Sequence, residues 1–436
     1  MLAEPLSPSR KKLLHGWSLL AATSLALAGL FAILLVLSRM PVVGGSVPWP
    51  NEFFQKGLVA HVVLSFAVWF LAVFGALAQI SQQHEDSIID KAALGLAALG
   101  TLLLLIPALL DRGEPTLNNY IPVIIDPLYY AGLILLGLGV LLAIYPLIRT
   151  GHQLRGATTL YVAAIVGFMF AALELGDQTP SHDYNESLFW GGGHILQFVN
   201  VALMLAAWSM LGETALGQPI IGAGFYRLAI ILLTAPGLAS LSFYFLWDVS
   251  ENGHVKAFTD LQYTLGPPVV IFGLAALPKL KKLFTNANWR QPAVLSLLTS
   301  IIVFAAGGFL GYFVDGLDTR TPAHYHGVIG GINLAFVGLF YAVFLPHLGQ
   351  HIKAGKLIFS QILLYAVGQF LFIVGMFMAG GMGAARKTMD SGVDINSTVG
   401  VLAAGIRDFG GGLAIIGGVM FIVIALKVLL RKSESD

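Results

Sequence analysis

The sequence predicts an all-α membrane protein, a bundle of twelve transmembrane helices, on three observations. The 436 residues are 57% hydrophobic and 11% charged, with a mean hydropathy of +0.81, whereas a soluble domain carries roughly 25% charged residues. Apolar runs of the roughly 20 residues needed to cross a bilayer recur from end to end. The connectors between these runs alternate between basic and Lys/Arg-poor. A net charge of +1 without a basic tail offers nothing to nucleic acid.

The spans fall near 13–39, 53–81, 90–110, 120–148, 156–175 and 187–212, then near 224–250, 259–280, 291–314, 322–346, 356–382 and 399–429. Short connectors imply antiparallel neighbours within a single membrane domain over 1–436, with short tails at 1–12 and 430–436. SPSRKK and the long apolar run after it read as a retained first span, because the run exceeds a signal h-region and lacks a cleavage site. One set of connectors holds Arg10, Lys11, Lys12, Arg149, Arg155, Lys279, Lys281, Lys282, Arg290, Lys353, Lys356, Arg431 and Lys432. The other includes the acidic stretch GDQTPSHDYNES. The positive-inside rule then puts both termini in the cytoplasm.

On this topology His61 lies inside the second span and His194 inside the sixth, while His254 lies at or just past the end of the seventh. His324 and His326 open the tenth. These five histidines come within roughly 12 Å of the outer surface, at about 1.5 Å per helical residue. A lone membrane histidine is often a helix-packing hydrogen bonder, but ionisable groups gathered at one depth are costly and usually functional. His15, His84, His152, His347 and His351, at cytoplasmic ends or loops, read as solvated or headgroup-facing, and His182 as solvated in an outer loop. Trp49 and Tyr120 fit an interfacial aromatic belt.

Neutral imidazole is a usual axial ligand of haem iron and a good ligand for copper or non-haem iron. With no cysteine in the chain, thiolate sites and Cys-linked haem are excluded. His324 and His326, two residues apart, point about 200° apart on a helix, so they suit two different sites. They could ligate two haems side by side, with His61 completing six-coordination of one. His194 and His254 could then hold a second metal over the open face of the other. Such a pair of metals suits reduction of a small diatomic molecule.

Three segments carry a family resemblance: DTRTPAHYHGVIGG, FWGGGHILQF and GGMGAARKT. Together, and in this order, they resemble motifs of subunit I of the heme-copper oxidase superfamily, over almost the whole chain. The resemblance implies that His324 binds the high-spin, active-site haem, and that His326 with His61 binds the low-spin, electron-transfer haem. It further implies that His194 and His254 bind a non-haem metal, Cu or Fe, and that Arg386 and Lys387 hold haem propionates. A bacterial or archaeal plasma membrane is the implied location. Electrons would come from an outer-side donor subunit or from a soluble cytochrome c or cupredoxin.

The sequence departs from the oxygen reductases of that family. Their adjacent histidine pair is represented by His254 alone, between Gly253 and Val255 in SENGHVKAFTD. Glu251, one helical turn before His254, could replace the lost ligand, and a carboxylate there would favour iron over copper. Positions that carry the family's active-site tyrosine hold Phe198, or Trp247 and Asp248, with Tyr244 out of helical phase. Leu196 stands where many proton pumps have a glutamate, and the eighth span lacks the channel lysine. Gln197 and Asn200 fit helix-packing roles. Reduction of nitric oxide needs no tyrosine radical, and outer acids such as Glu174, Asp177, Asp183 and Glu186 could deliver its protons. A nitric oxide reductase-type catalytic subunit is therefore expected, with an unusual oxygen reductase or an NO-disproportionating relative as alternatives. A secondary transporter without haem is the alternative from another class.

Overall fold

The computed structural model describes residues 6–38, 51–82, 87–150, 153–286, 288–314, 316, 318–352, 355–386 and 397–431. Lys387, His84, His152 and Trp49 lie outside them. Among the described residues, twelve helices are long and apolar enough to cross a membrane. They are α1 (Pro8–Leu37), α2 (Phe54–Ser81), α3 (Ile88–Leu109), α4 (Pro127–Thr150), α5 (Arg155–Leu175) and α6 (His182–Leu216). There follow α7 (Ala223–Phe245), α8 (Asn252–Thr285), α9 (Pro292–Phe313), α10 (Arg320–His347), α11 (Lys356–Gly381) and α12 (Thr398–Leu429). Two three-residue strands, β1 (Glu114–Thr116) and β2 (Val123–Ile125), pair antiparallel between α3 and α4.

Contacts group the chain into two compact units: Met1–Ala206 with Ile221–Ala275, and Ala207–Ile220 with Ala276–Asp436. In the first unit, α3 and α4 approach closely because Gly100 and Gly139 face backbone atoms of the other helix, where a Cβ would have no room. In the second, Gly368, Gly375, Gly410 and Gly417 do the same between α11 and α12. Without a hydrophobic drive between helices in lipid, such small-residue seams let dispersion contacts hold them together.

Among the boundaries that differ from expectation, four have a local reason. The helix of α1 starts at Pro8 rather than residue 13, since Pro is tolerated in a first turn. Helix α4 starts at Pro127 rather than 120: Asp126 caps it, its carboxylate accepting from the Leu128 N–H at 2.8 Å. Residues before it, rich in Asn, Pro and Gly, form the hairpin instead. Helix α7 tightens into a 3₁₀ turn over Ser240–Phe245 and stops there, and α8 begins at Asn252. His254 therefore opens α8 and does not close α7.

Arg10, one of the basic connector residues, is buried. Its guanidinium donates to Gln79 Oε1 at 2.7 Å and pairs with Asp90 at 3.4 Å. Asp90 is in turn part of a capping box with Ser87 at the start of α3. The ion pair thus ties α1 and α2 to the capped end of α3. Arg10→Met strands the buried carboxylate of Asp90, and a destabilisation of about 3–5 kcal/mol is expected. Thermal unfolding in detergent, followed by circular dichroism, measures it; an unchanged midpoint contradicts the structural weight given to this pair.

Candidate metal and haem centre

Within the first unit, α6 builds the site by leaving side chains out. Gly191, Gly192 and Gly193 immediately precede His194. A Cβ on Gly191 would strike the Tyr244 hydroxyl, one on Gly192 the Phe168 ring, and one on Gly193 Tyr120 Cβ at 2.6 Å. Three aromatic side chains therefore press against the backbone of α6 where larger residues would exclude them. Phe258 adds a fourth surface, 5.7 Å from the His194 ring and 4.9 Å from the His254 ring between centroids. The two histidines share one aromatic wall.

His194 is 1% exposed, and both ring nitrogens are engaged. Nδ1 lies 2.7 Å from the Trp190 carbonyl, which can only accept, so Nδ1 carries the proton. Nε2 then keeps its lone pair and accepts from the Tyr120 hydroxyl at 2.8 Å. His254 differs. It is fully buried, and among the described residues neither of its ring nitrogens meets a hydrogen-bond partner. An unsatisfied buried polar group costs about 1–3 kcal/mol, so the pair fits a group that supplies what the protein withholds. A metal ion would take the lone pair of one of these nitrogens.

Tyr120 had been placed in an interfacial belt. It sits at the tip of the β1–β2 hairpin with a φ of +63°, left-handed and unusual for an aromatic residue. Glu186 holds it there: its carboxylate accepts from the Asn119 backbone N–H at 2.8 Å and from Asn119 Nδ2 at 2.6 Å. Burial and then the charge of Glu186 push the Tyr120 phenol above its ordinary pKa, so it is a neutral donor. Nothing in the sequence joins Tyr120 to His194, 74 residues apart. Tyr244 was judged out of phase, yet its ring lies 5.0 Å from that of His254. Helical phase does not carry across the break between α7 and α8, which is why that inference failed.

Glu251 is exposed, with extended backbone just outside α8 (φ −76°, ψ 145°). It does not share a helix face with His254, the expected relation. Among the described residues no group of three or more His, Cys, Asp or Glu side chains could hold a metal ion. Glu174 is also committed, accepting from the Val249 N–H at 2.7 Å and bracing the turn before α8. His182 is exposed beside Asp183, as a solvated residue would be.

His61 lies in α2, its Nδ1 donating to the Ala28 carbonyl at 2.9 Å. A π-helical segment, Val63–Val68, follows at once, a local widening often found at functional sites. Five residues before His61, Lys56 is buried and pairs with Asp111 at 2.7 Å.

In the second unit, His324 and His326 address different neighbours. His324 Nδ1 donates to the Gly307 carbonyl of α9 at 2.8 Å, and Gly311 gives its ring room. The His326 ring stands edge-on to Phe372 of α11 at 5.1 Å. Both are partly exposed. Nδ1–H bonds of this kind fix the tautomer and present Nε2 to a metal, so His61 and His324 fit axial haem ligation. Asp318 and Thr319 fasten the start of α10 to the end of α11: Asp318 bridges to Ala385, and the Thr319 N–H donates to the Ala384 carbonyl at 2.9 Å. Burial raises the Asp318 pKa, but the hydrogen bonds and charge of Arg320 outweigh it and hold the carboxyl below its ordinary value. Arg386 follows this bridge, partly buried.

Comparisons with known proteins agree with this architecture. An uncharacterized protein of Rickettsia prowazekii (strain Madrid E) is 27% identical, the match covering 96% of each chain. An uncharacterized protein of Aquifex aeolicus (strain VF5) is 29% identical over 78% of this chain and 86% of its own. The structure of a heme-copper terminal oxidase dimer superposes with a TM-score of 0.76 at 17% identity, covering 99% of this chain and 86% of that one; at that identity the likeness shows the fold alone. Residues 13–406 match the family model described as cytochrome c and quinol oxidase polypeptide I, and the chain belongs to that family of membrane oxidoreductases.

Proposed function

We propose that this chain is the catalytic subunit of a respiratory reductase that converts nitric oxide to nitrous oxide: 2 NO + 2 e⁻ + 2 H⁺ → N₂O + H₂O. The observation that carries the reading is His254, buried beside His194 with both ring nitrogens unanswered. Such a pair is a donor set for a non-haem metal, Cu or Fe. His324 would ligate the active-site haem, and His61 with His326 the electron-transfer haem, following the motif in α10. Arg386, with Lys387, would hold haem propionates. When bound, the haems and the second metal supply electrons and hold the diatomic substrate.

The protein's own contribution is orientation and proton supply. Carbonyls of Ala28, Trp190 and Gly307 hold three imidazoles in the tautomer that offers Nε2. Acids Asp177 and Asp183, both exposed, remain available to carry protons from the outer side, whereas Glu174 and Glu186 are held as braces. Both termini would lie in the cytoplasm of a bacterium or archaeon. Electrons would enter from an outer-side donor subunit or a soluble cytochrome c or cupredoxin.

Oxygen reduction is the second reading, and a specific observation favours it: phenols that the sequence placed elsewhere stand at both histidines, Tyr120 at His194 and Tyr244 at His254. Parallel consumption assays on one chemically reduced preparation, anaerobic for NO and aerobic for O₂, separate the two. Rapid NO loss with nitrous oxide formation and little O₂ uptake is expected; the reverse pattern overturns the primary reading. His61→Ala or His326→Ala should remove the low-spin haem spectrum, and an unchanged spectrum would contradict that assignment. His194→Ala should abolish turnover while both haems stay bound. Glu251→Gln should leave non-haem metal content unaltered, because the carboxylate is exposed; a fall in metal would restore it as a ligand.

A further inference from the structure

We infer that Tyr120 is the third ligand of the non-haem metal, completing a donor set of His194, His254 and the Tyr120 phenolate. The inference rests on the metal site proposed above and names what stands in for the lost helix-end histidine. Nδ1 of His194 is committed to the Trp190 carbonyl at 2.7 Å, so Nε2 is the only lone pair this ring can offer. The Tyr120 oxygen lies 2.8 Å from that Nε2. Any ion bound there meets the phenol oxygen as its next neighbour. His254 packs against the same Phe258 ring as His194, buried and with both nitrogens unpartnered.

Tyr120 is also built for the task. Its left-handed backbone is a conformation that persists only where the surroundings over-determine it, and here the Glu186 clamp on Asn119 and the gap left by Gly193 do so. Glu251, the carboxylate that sequence spacing offered, is exposed. Two imidazoles and one anionic oxygen with open positions are the donor set of non-haem iron, a phenolate here replacing the usual carboxylate. On binding, the phenol O–H bond breaks, the oxygen's electron pair goes to the metal, and the proton leaves to solvent. The hydrogen bond of the metal-free site and the ligand set of the loaded site are thus alternative uses of the same two atoms.

The test measures non-haem metal per haem in purified wild-type, Tyr120→Phe and Tyr120→His proteins. Total metals come from mass spectrometry, haem iron from the reduced pyridine spectrum, and the difference is the non-haem ion. Wild type should carry one such ion, mainly iron. Tyr120→Phe, with both haem spectra intact, should lose it by at least about tenfold, and Tyr120→His, which restores a donor, should recover it. A hydrogen bond serving only to pack the loop would show no such rescue. Full metal in Tyr120→Phe overturns the inference and leaves the proposed function standing. A wild type without non-haem metal overturns both. Where Tyr120→Phe fails to retain haem, Tyr120→His decides: metal retained supports the ligand role, and metal lost with haem intact overturns it.

Discussion

An imidazole placed among apolar helices must have each nitrogen answered, and this demand organises the candidate centre. Three of its histidines meet it in one way, by giving Nδ1–H to a main-chain carbonyl. The carbonyl belongs to another helix for His61 and His324, and to the preceding turn for His194. A helical carbonyl has a second lone pair to spare, so the bond costs the helix nothing. It also holds the ring by a rigid element rather than by a mobile side chain. His254 breaks the pattern, and the chemistry argued for this protein follows from that exception.

Around His194 the packing and the chemistry are the same thing. The glycine run on α6 admits Tyr244, Phe168 and Tyr120 to the helix surface, making a tight aromatic enclosure. The hairpin that delivers Tyr120 carries backbone strain of about 1–3 kcal/mol. Two hydrogen bonds to the Glu186 carboxylate and one to His194 offset it, at roughly 1.5–3 kcal/mol for those to the charged group. Three hydrogen bonds thus anchor a short loop to α6.

Much of this was legible in the sequence, and the rest was not for definable reasons. Apolar run length gave the twelve spans, because the bilayer sets that length whatever the packing. The pair His324 and His326 could be assigned to opposite helix faces from rotation alone, and they turn to α9 and α11. Phase arguments failed where the helix stops: the SENG turn before His254 separates it from Tyr244, and Asp126-Pro127 is a capping signal that should have moved the start of α4. Tyr120 lay beyond sequence reasoning altogether. Its contact with His194 is non-local, and its partner Glu186 resembled any solvated acid near a helix start. Arg10 was likewise indistinguishable from its neighbours Lys11 and Lys12 until Gln79 and Asp90 were seen to surround it.

The interruption between α7 and α8 also works as a depth gauge. Irregular backbone is not stable in hydrocarbon unless protein or water covers it, yet Phe245 and Leu246 are 75% and 62% exposed, and Asp248, Ser250 and Glu251 are exposed beside them. The turn therefore stands outside the hydrocarbon, and so do the first turns of α8, where Lys256 and Asp260 pair with both side chains exposed. His254 precedes both of these charges, so it sits no deeper than the edge of the ~30 Å core. Carrying one charge across the whole core against 100 mV takes about 2.3 kcal/mol, and a proton reaching His254 from that edge would cross almost none of it. In the function proposed above, proton delivery to the His254 side of the centre would thus be almost uncoupled from the membrane voltage.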